Sequence, residues 1–325
     1  MPDLLTGPAA QDPATAVFLL GQPGAGKTRV AELIAEQLDA RGGFADIDSD
    51  LYKPYHPMYA RLMAEDDRLM TLYTGNDGRA WMRQAQQFVR GEDPLSGGRQ
   101  LNALVQEIAM DPQFLAETMR KYRNVGTRVD TFVLAVSQAL NEQGILNRYH
   151  EQVLDRGQGR LTVPEKAQAS YTGIADSCEV IVREGLADFA AVYRRGETTP
   201  RFAADATELA RTPLALRQSV ERERNRPWTP EESHDFLSVQ RKLRKGLPPT
   251  SARSSTASTS WPPRCWRCRG SVPRAYRPRP PAHAAPPPPS APPPDRHRRR
   301  PTARSPGTAP KHPDSVQGAV GREAL

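Results

Sequence analysis

Cysteine is scarce. The 325 residues hold three: Cys178, Cys265 and Cys268. That is too few, too unevenly placed, for a disulfide framework. Cys265-x-x-Cys268 is a lone pair with no second pair beside it, short of a structural zinc set. Such usage fits a reducing cytoplasm. Long apolar runs are missing too. None approaches the length of a transmembrane helix, and no basic segment leads into an apolar stretch at the N-terminus. No repeat recurs at solenoid periods. Positive charge is missing where it would matter. The whole chain carries +8, but residues 251–325 hold 14 Lys and Arg against 3 Asp and Glu, a net of +11. Taking these from the totals of 45 and 37 leaves 31 and 34 for residues 1–250, a net of −3. The first 250 residues therefore make no electrostatic case for nucleic acid.

The tail is unlike the rest. It carries 17 of the 32 prolines, and Lys311 is its one lysine. Proline-rich polar sequence buries too little apolar surface to fold alone, so residues 251–325 are expected to be a disordered Pro/Arg-rich tail. Abundant Arg, Pro, Ala and Ser with almost no Lys, Ile or Phe is what a GC-rich gene yields out of frame. We take the tail as a frameshift product, a hypothesis that the intact mass of the natively expressed protein tests.

What is present begins with residues 16–38. Ala16 to Leu20 is an apolar run too short for a helix and reads as a buried parallel strand. Gly21-Gln-Pro-Gly-Ala-Gly-Lys-Thr28 then fits G-x-x-x-x-G-K-[ST], the phosphate loop. Gly21, Gly24 and Gly26, with Ala25 between, let backbone N–H groups approach phosphate oxygens. Lys27 brings a charge to the β- and γ-phosphates, and Thr28 offers a hydroxyl to Mg²⁺. Val30, Ala31, Leu33, Ile34 and Leu38 mark one face of the helix that follows, whose N-terminus points at the phosphates. The expected ligands are ATP and Mg²⁺.

Further on, Phe44 to Ile47 reads as a second strand with Asp48-Ser-Asp50 at its end. In open α/β sheets ligands collect there, so these aspartates are candidates for metal or base chemistry or are plain turn formers. Asn76-Asp-Gly78 is a turn signal, and Trp81, Ala85, Phe88 and Val89 follow at helical spacing. Leu101 to Glu107 and Val129 to Val136 read as strands. Asp111-Pro112 opens a helix to about Asn124, and Ser137 caps a long helix toward Asp155. Glu165 to Glu184 reads as helix, Phe189 to Tyr193 as the last strand, and Thr207 to Leu247 as mostly helical. Alternating strands and helices predict an α/β fold, a three-layer P-loop NTPase with a mainly parallel sheet. The expected organisation is a flexible lead-in over 1–15, a kinase domain over 16–250 and the tail.

Several of these motifs together resemble the zeta-toxin family of phosphate-loop kinases, whose type activity is phosphorylation of UDP-N-acetylglucosamine. The resemblance covers about residues 14–200. It lies in Gly21 to Thr28, in Asp48-Ser-Asp50 followed by His56-Pro57-x-Tyr59, in Arg148-Tyr149, and in Arg160 shortly before Pro164. It implies that Lys27 and Thr28 hold ATP phosphates and Mg²⁺, that Asp50 is the general base, and that Arg148 and Arg160 clamp the transferred phosphoryl group. It implies His56 and Glu107 as substrate-binding residues, a nucleotide-sugar acceptor and an antitoxin partner. One stretch departs from the family, whose third strand ends in a Glu followed by Thr and then Arg. Here Leu104-Val-Gln-Glu-Ile-Ala-Met-Asp-Pro112 stands in that place. Either Glu107 or Gln106 takes the glutamate's position, and Ile108 or Met110 replaces polar contacts. Three other readings stay open: a kinase for another hydroxyl acceptor such as an antibiotic, a nucleotide-binding protein without chemistry, and a nucleic-acid enzyme using the basic tail.

Overall fold

A computed structural model describes residues 5, 7–66 and 70–246. The expectations for residues 251–325, Cys265 and Cys268 among them, lie outside these residues. A six-stranded sheet has the order β2-β3-β1-β4-β5-β6, with β1 Thr15–Leu20, β2 Ala45–Ile47, β3 Ala103–Glu107, β4 Arg128–Ala135, β5 Phe189–Arg194 and β6 Phe202–Asp205. All neighbours pair parallel except β5 and β6. The helices are α1 Thr28–Asp39, α2 Ser49–Tyr52, α3 Tyr59–Asp66, α4 Met70–Val89, α5 Pro112–Asn124, α6 Gln138–Arg156, α7 Pro164–Arg183, α8 Ala206–Arg211, α9 Ala215–Asn225 and α10 Pro230–Gly246.

Every residue of β1 is buried, as a central parallel strand covered on both faces requires. Its side chains alternate between two cores. Ala16, Phe18 and Leu20 join Met119 and Tyr122 of α5, Ile174 and Cys178 of α7, and Leu216 and Val220 of α9. Val17 and Leu19 face the other way, onto Val30, Ile34 and Leu38 of α1. Phe18 meets the Tyr122 ring edge-on at 5.5 Å. This is the expected three-layer α/β architecture, and it brings the ends of β1, β2, β3 and β4 to one edge.

Some expectations change. Asn76-Asp77-Gly78 forms no turn but lies inside α4. The buried Gly78 sits where a side chain would meet the Ser49 carbonyl at 3.5 Å, so packing on α2 keeps the helix going. Strand β6 carries no apolar run, and its antiparallel pairing with β5 supplies what its composition does not. Ser137 stands at the N-cap of α6, yet its hydroxyl makes no capping bond and is buried without a partner. Residues 9–14, read as a flexible lead-in, are tied to the domain. Ala9 N–H donates to the Gly42 carbonyl at 2.8 Å, and Gln11 N–H to that of Gln100 at 2.9 Å. No helix among the described residues is long and apolar enough to cross a membrane.

Candidate functional site

The loop between β1 and α1 needs its glycines. Gly24 and Gly26 have φ of +83° and +84°, where other residues are strained. A side chain on Gly24 would meet the Asn141 carbonyl and the Ile145 nitrogen at 2.6 Å. One on Gly144 would come within 2.1 Å of the Gly24 carbonyl, so the loop rests directly on α6. Gln22 points inward; its amide donates to the Val136 carbonyl at 3.0 Å and accepts from the buried Arg224 at 3.4 Å. Buried Ala25 closes the turn, its N–H donating to the Gln22 carbonyl at 3.1 Å. Lys27 folds back so that Nζ donates to the Gly21 carbonyl at 3.0 Å. Burial pushes its pKa down, while Asp48, Asp50 and Glu107 pull it up. Thr28 begins α1 and is exposed.

The two aspartates after β2 do different work. Asp48 is the N-cap of α2, its carboxylate accepting the Asp50 N–H at 2.8 Å. Asp50 pairs with Lys53, one helical turn on, and with Arg160 Nη1 at 3.1 Å. Burial pushes its carboxyl up, but Lys53, Arg160 and Arg148 together hold it far below the usual carboxylate range. Arg148, on α6, donates to the Thr162 hydroxyl at 3.0 Å, while its Nε is buried without a partner. The Arg160 backbone N–H is fixed by the Gln152 side chain at 2.8 Å. Glu107 ends β3, where its carbonyl accepts from Gly21 N–H at 3.1 Å. Burial raises its carboxyl to about 7 against the pull of Lys27.

These residues converge on a cavity of about 300 Å³, the small end of the usual range for ligand sites. Lys27, Asp50, Glu107, Arg148 and Arg160 line it, together with four cations the sequence reading missed: Lys53, Arg79, Arg83 and Lys166. Lys53 stands one helical turn from Asp50, and Arg79 and Arg83 lie one turn apart on α4, so spacing was an available signal for both. Among the described residues Arg83 and Lys166 make no ion pair. Burial lowers the Lys166 pKa, and Lys53 and Arg79 lower it further. Met82, Ile108, Met110 and Phe114 add apolar surface to the lining. Glu107 and Gln106 both line the cavity, and Gln106 is held by Asp46 at 3.1 Å. Ala109 is held at φ +44° there, with Gly173 of α7 leaving room for its carbonyl. His56 is not brought into the cavity. Its Nε2 pairs with Asp77 of α4 at 2.9 Å, and its Nδ1 accepts from Met58 N–H at 3.1 Å.

The arrangement fits a phosphate chain. Cations outnumber anions around the cavity. Among the described residues no cluster of three or more His, Cys, Asp or Glu could hold a metal ion by itself.

Comparison with known proteins agrees. A family model for zeta toxin matches residues 6–207. Toxin zeta of Enterococcus hirae is 21% identical over 268 residues, covering 76% of this chain and 89% of that protein. Toxin zeta of Streptococcus pyogenes is also 21% identical, covering 76% of this chain and 88% of its own length. A solved structure from the PezAT chromosomal toxin–antitoxin system of Streptococcus pneumoniae superposes with a TM-score of 0.61 at 17% identity, over 75% of this chain and 90% of that one.

Proposed function

The chain belongs to the zeta toxin family, and we propose that it transfers the γ-phosphate of ATP to a hydroxyl of a nucleotide sugar, UDP-N-acetylglucosamine. The observation that carries this reading is the convergence of Lys27, Asp50, Arg148 and Arg160 on one cation-lined cavity beside the phosphate loop. Gly24 and Gly26 present backbone N–H groups to the phosphates, and Gly21 and Ala25, whose own N–H groups go to the Glu107 and Gln22 carbonyls, shape the loop around them. Lys27, Arg148 and Arg160 spread positive charge over the transferred group, which is the main catalytic need in phosphoryl transfer. Asp50 takes the proton of the attacking hydroxyl. Thr28 would hold Mg²⁺ through its hydroxyl, and the ion would supply charge neutralisation on the phosphates. Lys53, Arg79, Arg83 and Lys166 suit an acceptor carrying a diphosphate, and Glu107 meets its sugar. His56 acts on the acceptor through α4 rather than by touching it.

The kinase unit is proposed as residues 16–250, the setting as the cytoplasm and the partner as an antitoxin. The last rests on family membership, since relatives bear the name toxin and a solved neighbour comes from a toxin–antitoxin system. Incubation with labelled ATP and a panel of nucleotide sugars tests the reaction. A new phosphorylated UDP-N-acetylglucosamine supports it, and label transferred only to water or to an unrelated hydroxyl compound refutes it. A second assignment of the base has support: Glu107, with its carboxyl near 7, is better matched to neutral pH than Asp50.

A further inference from the structure

Arg195 follows the last residue of β5 and is absent from the cavity lining described above. It approaches the phosphate loop from elsewhere. A side chain built on Gly26 would lie 3.2 Å from its Nε and 3.5 Å from its Cγ. Its Nη1 donates to the Leu140 carbonyl at 3.2 Å, in the first turn of α6. A side chain built on Gly144 would meet the same Nη1 at 3.3 Å. Two glycines, one on the loop and one on α6, thus make the slot in which this guanidinium lies.

Its neighbours are neutralised and it is not. Arg194 pairs with Glu223 at 2.9 Å and with Glu197 at 3.4 Å. Lys27 has Asp48, Asp50 and Glu107 around it. Among the described residues no carboxylate pairs with Arg195. Burial alone holds its pKa below the ordinary arginine value, and no nearby charge opposes that. The residue as a whole is exposed, so this desolvation comes from the loop and α6 on one side. Exposed on its other side and anchored to the Leu140 carbonyl, the guanidinium is open to an incoming anion. Its planar fork matches phosphate oxygens, and it stands against the loop whose N–H groups cradle them.

We infer that Arg195 is a nucleotide-binding residue that grips the phosphate chain of the donor from outside the acceptor cavity. The inference rests on the reading that the loop binds ATP. Calorimetry on the full chain tests it, with ATP and inorganic tripolyphosphate as separate probes. Arg195→Ala should weaken both by about 10- to 100-fold, the worth of a hydrogen bond to a charged group. Arg195→Lys should recover part of the loss, because it restores charge without the fork. The side chain is exposed, so thermal unfolding of the variants should match the wild type. Unchanged affinity for both probes overturns the inference. A loss for ATP alone also overturns it, because that assigns Arg195 to the base. A wild-type chain that binds neither probe refutes the ATP reading itself, and the inference with it.

Discussion

Replacing Asp50 with Asn removes one negative charge and keeps the side chain's shape. Arg160 Nη1 lies 3.1 Å from the carboxylate. At an effective dielectric of about 20, that separation gives a gross attraction of about 5 kcal/mol. The Asp50 side chain is 37% exposed, so solvent screening leaves roughly 1 kcal/mol of net stabilisation. Lys53 matters more. Its side chain is only 8% exposed, and Asp50 is its partner. Asn still offers it an amide oxygen, but trading a carboxylate for a neutral acceptor beside a buried ammonium costs roughly 1–3 kcal/mol. At about 2–4 °C per kcal/mol for a domain of this size, the melting temperature should fall by several degrees without loss of the fold. Turnover should fall by roughly 10²–10⁴-fold, the usual worth of a general base. Nucleotide affinity should hold or rise, because Lys27, Arg148 and Arg160 lose a competing anion. Single-turnover transfer and nucleotide titration on the same protein separate the possibilities. A fall in metal-dependent affinity together with turnover would make Asp50 a Mg²⁺ ligand. Turnover equal to the wild type would remove Asp50 from the mechanism.

Lys27→Ala should abolish transfer with little change in thermal unfolding, since the lysine lies on the loop outside both cores; full activity in a labelled-ATP assay would contradict the phosphate-loop assignment. Glu107→Gln addresses pH. The folded carboxyl titrates at about 7 against an ordinary 4.5, so the stability linked to it is whole below about 4.5 and is lost as pH rises through about 7. The variant should therefore gain on the wild type above pH 7 in melts scanned from pH 5 to 8, and parallel curves would refute the burial argument. Its pH–rate profile also chooses between the bases: a wild-type rise through about 7 that Gln abolishes favours Glu107, and a flat profile favours Asp50. A chain ending at residue 250 should keep its fold and its transfer activity, because all six strands and both cores precede that point; loss of activity would implicate the tail.

Legibility in the sequence followed the physics of each element. β1 was readable because a central parallel strand is apolar throughout, and the loop after it because positive φ demands glycine at Gly24 and Gly26. β6 was not, since Phe202-Ala-Ala-Asp205 has no pattern of its own and becomes a strand only by pairing with β5. Nor was the Asp50–Arg160 pair visible as a contact. Both residues were named, yet nothing local says that the loop carrying Arg160 folds over the end of β2. Against the effect of burial, Lys53 and Arg160 hold the Asp50 carboxyl low, and periodicity carries no record of that pairing.

Two of the missed cations, Arg79 and Arg83, trace to one local signal with a functional cost. Asn76-Asp-Gly78 reads locally as a turn because each residue favours one. That places the start of the following helix near Trp81 and cuts Arg79 away from Arg83. In α4 the two arginines are four apart, hence on one face, and both line the cavity. Helix propensity at the three positions is poor, but they are held in place. Gly78 packs on α2, Asp77 pairs with His56, and Asn76 accepts a bond from Arg79. The same contacts that overrule the local preference also aim the arginines. His56 lies outside the cavity and pairs with Asp77 on the helix that carries two of its cations. His56→Ala should then weaken acceptor binding while leaving ATP binding unchanged, whereas a substitution that weakens ATP alone would place the histidine with the donor.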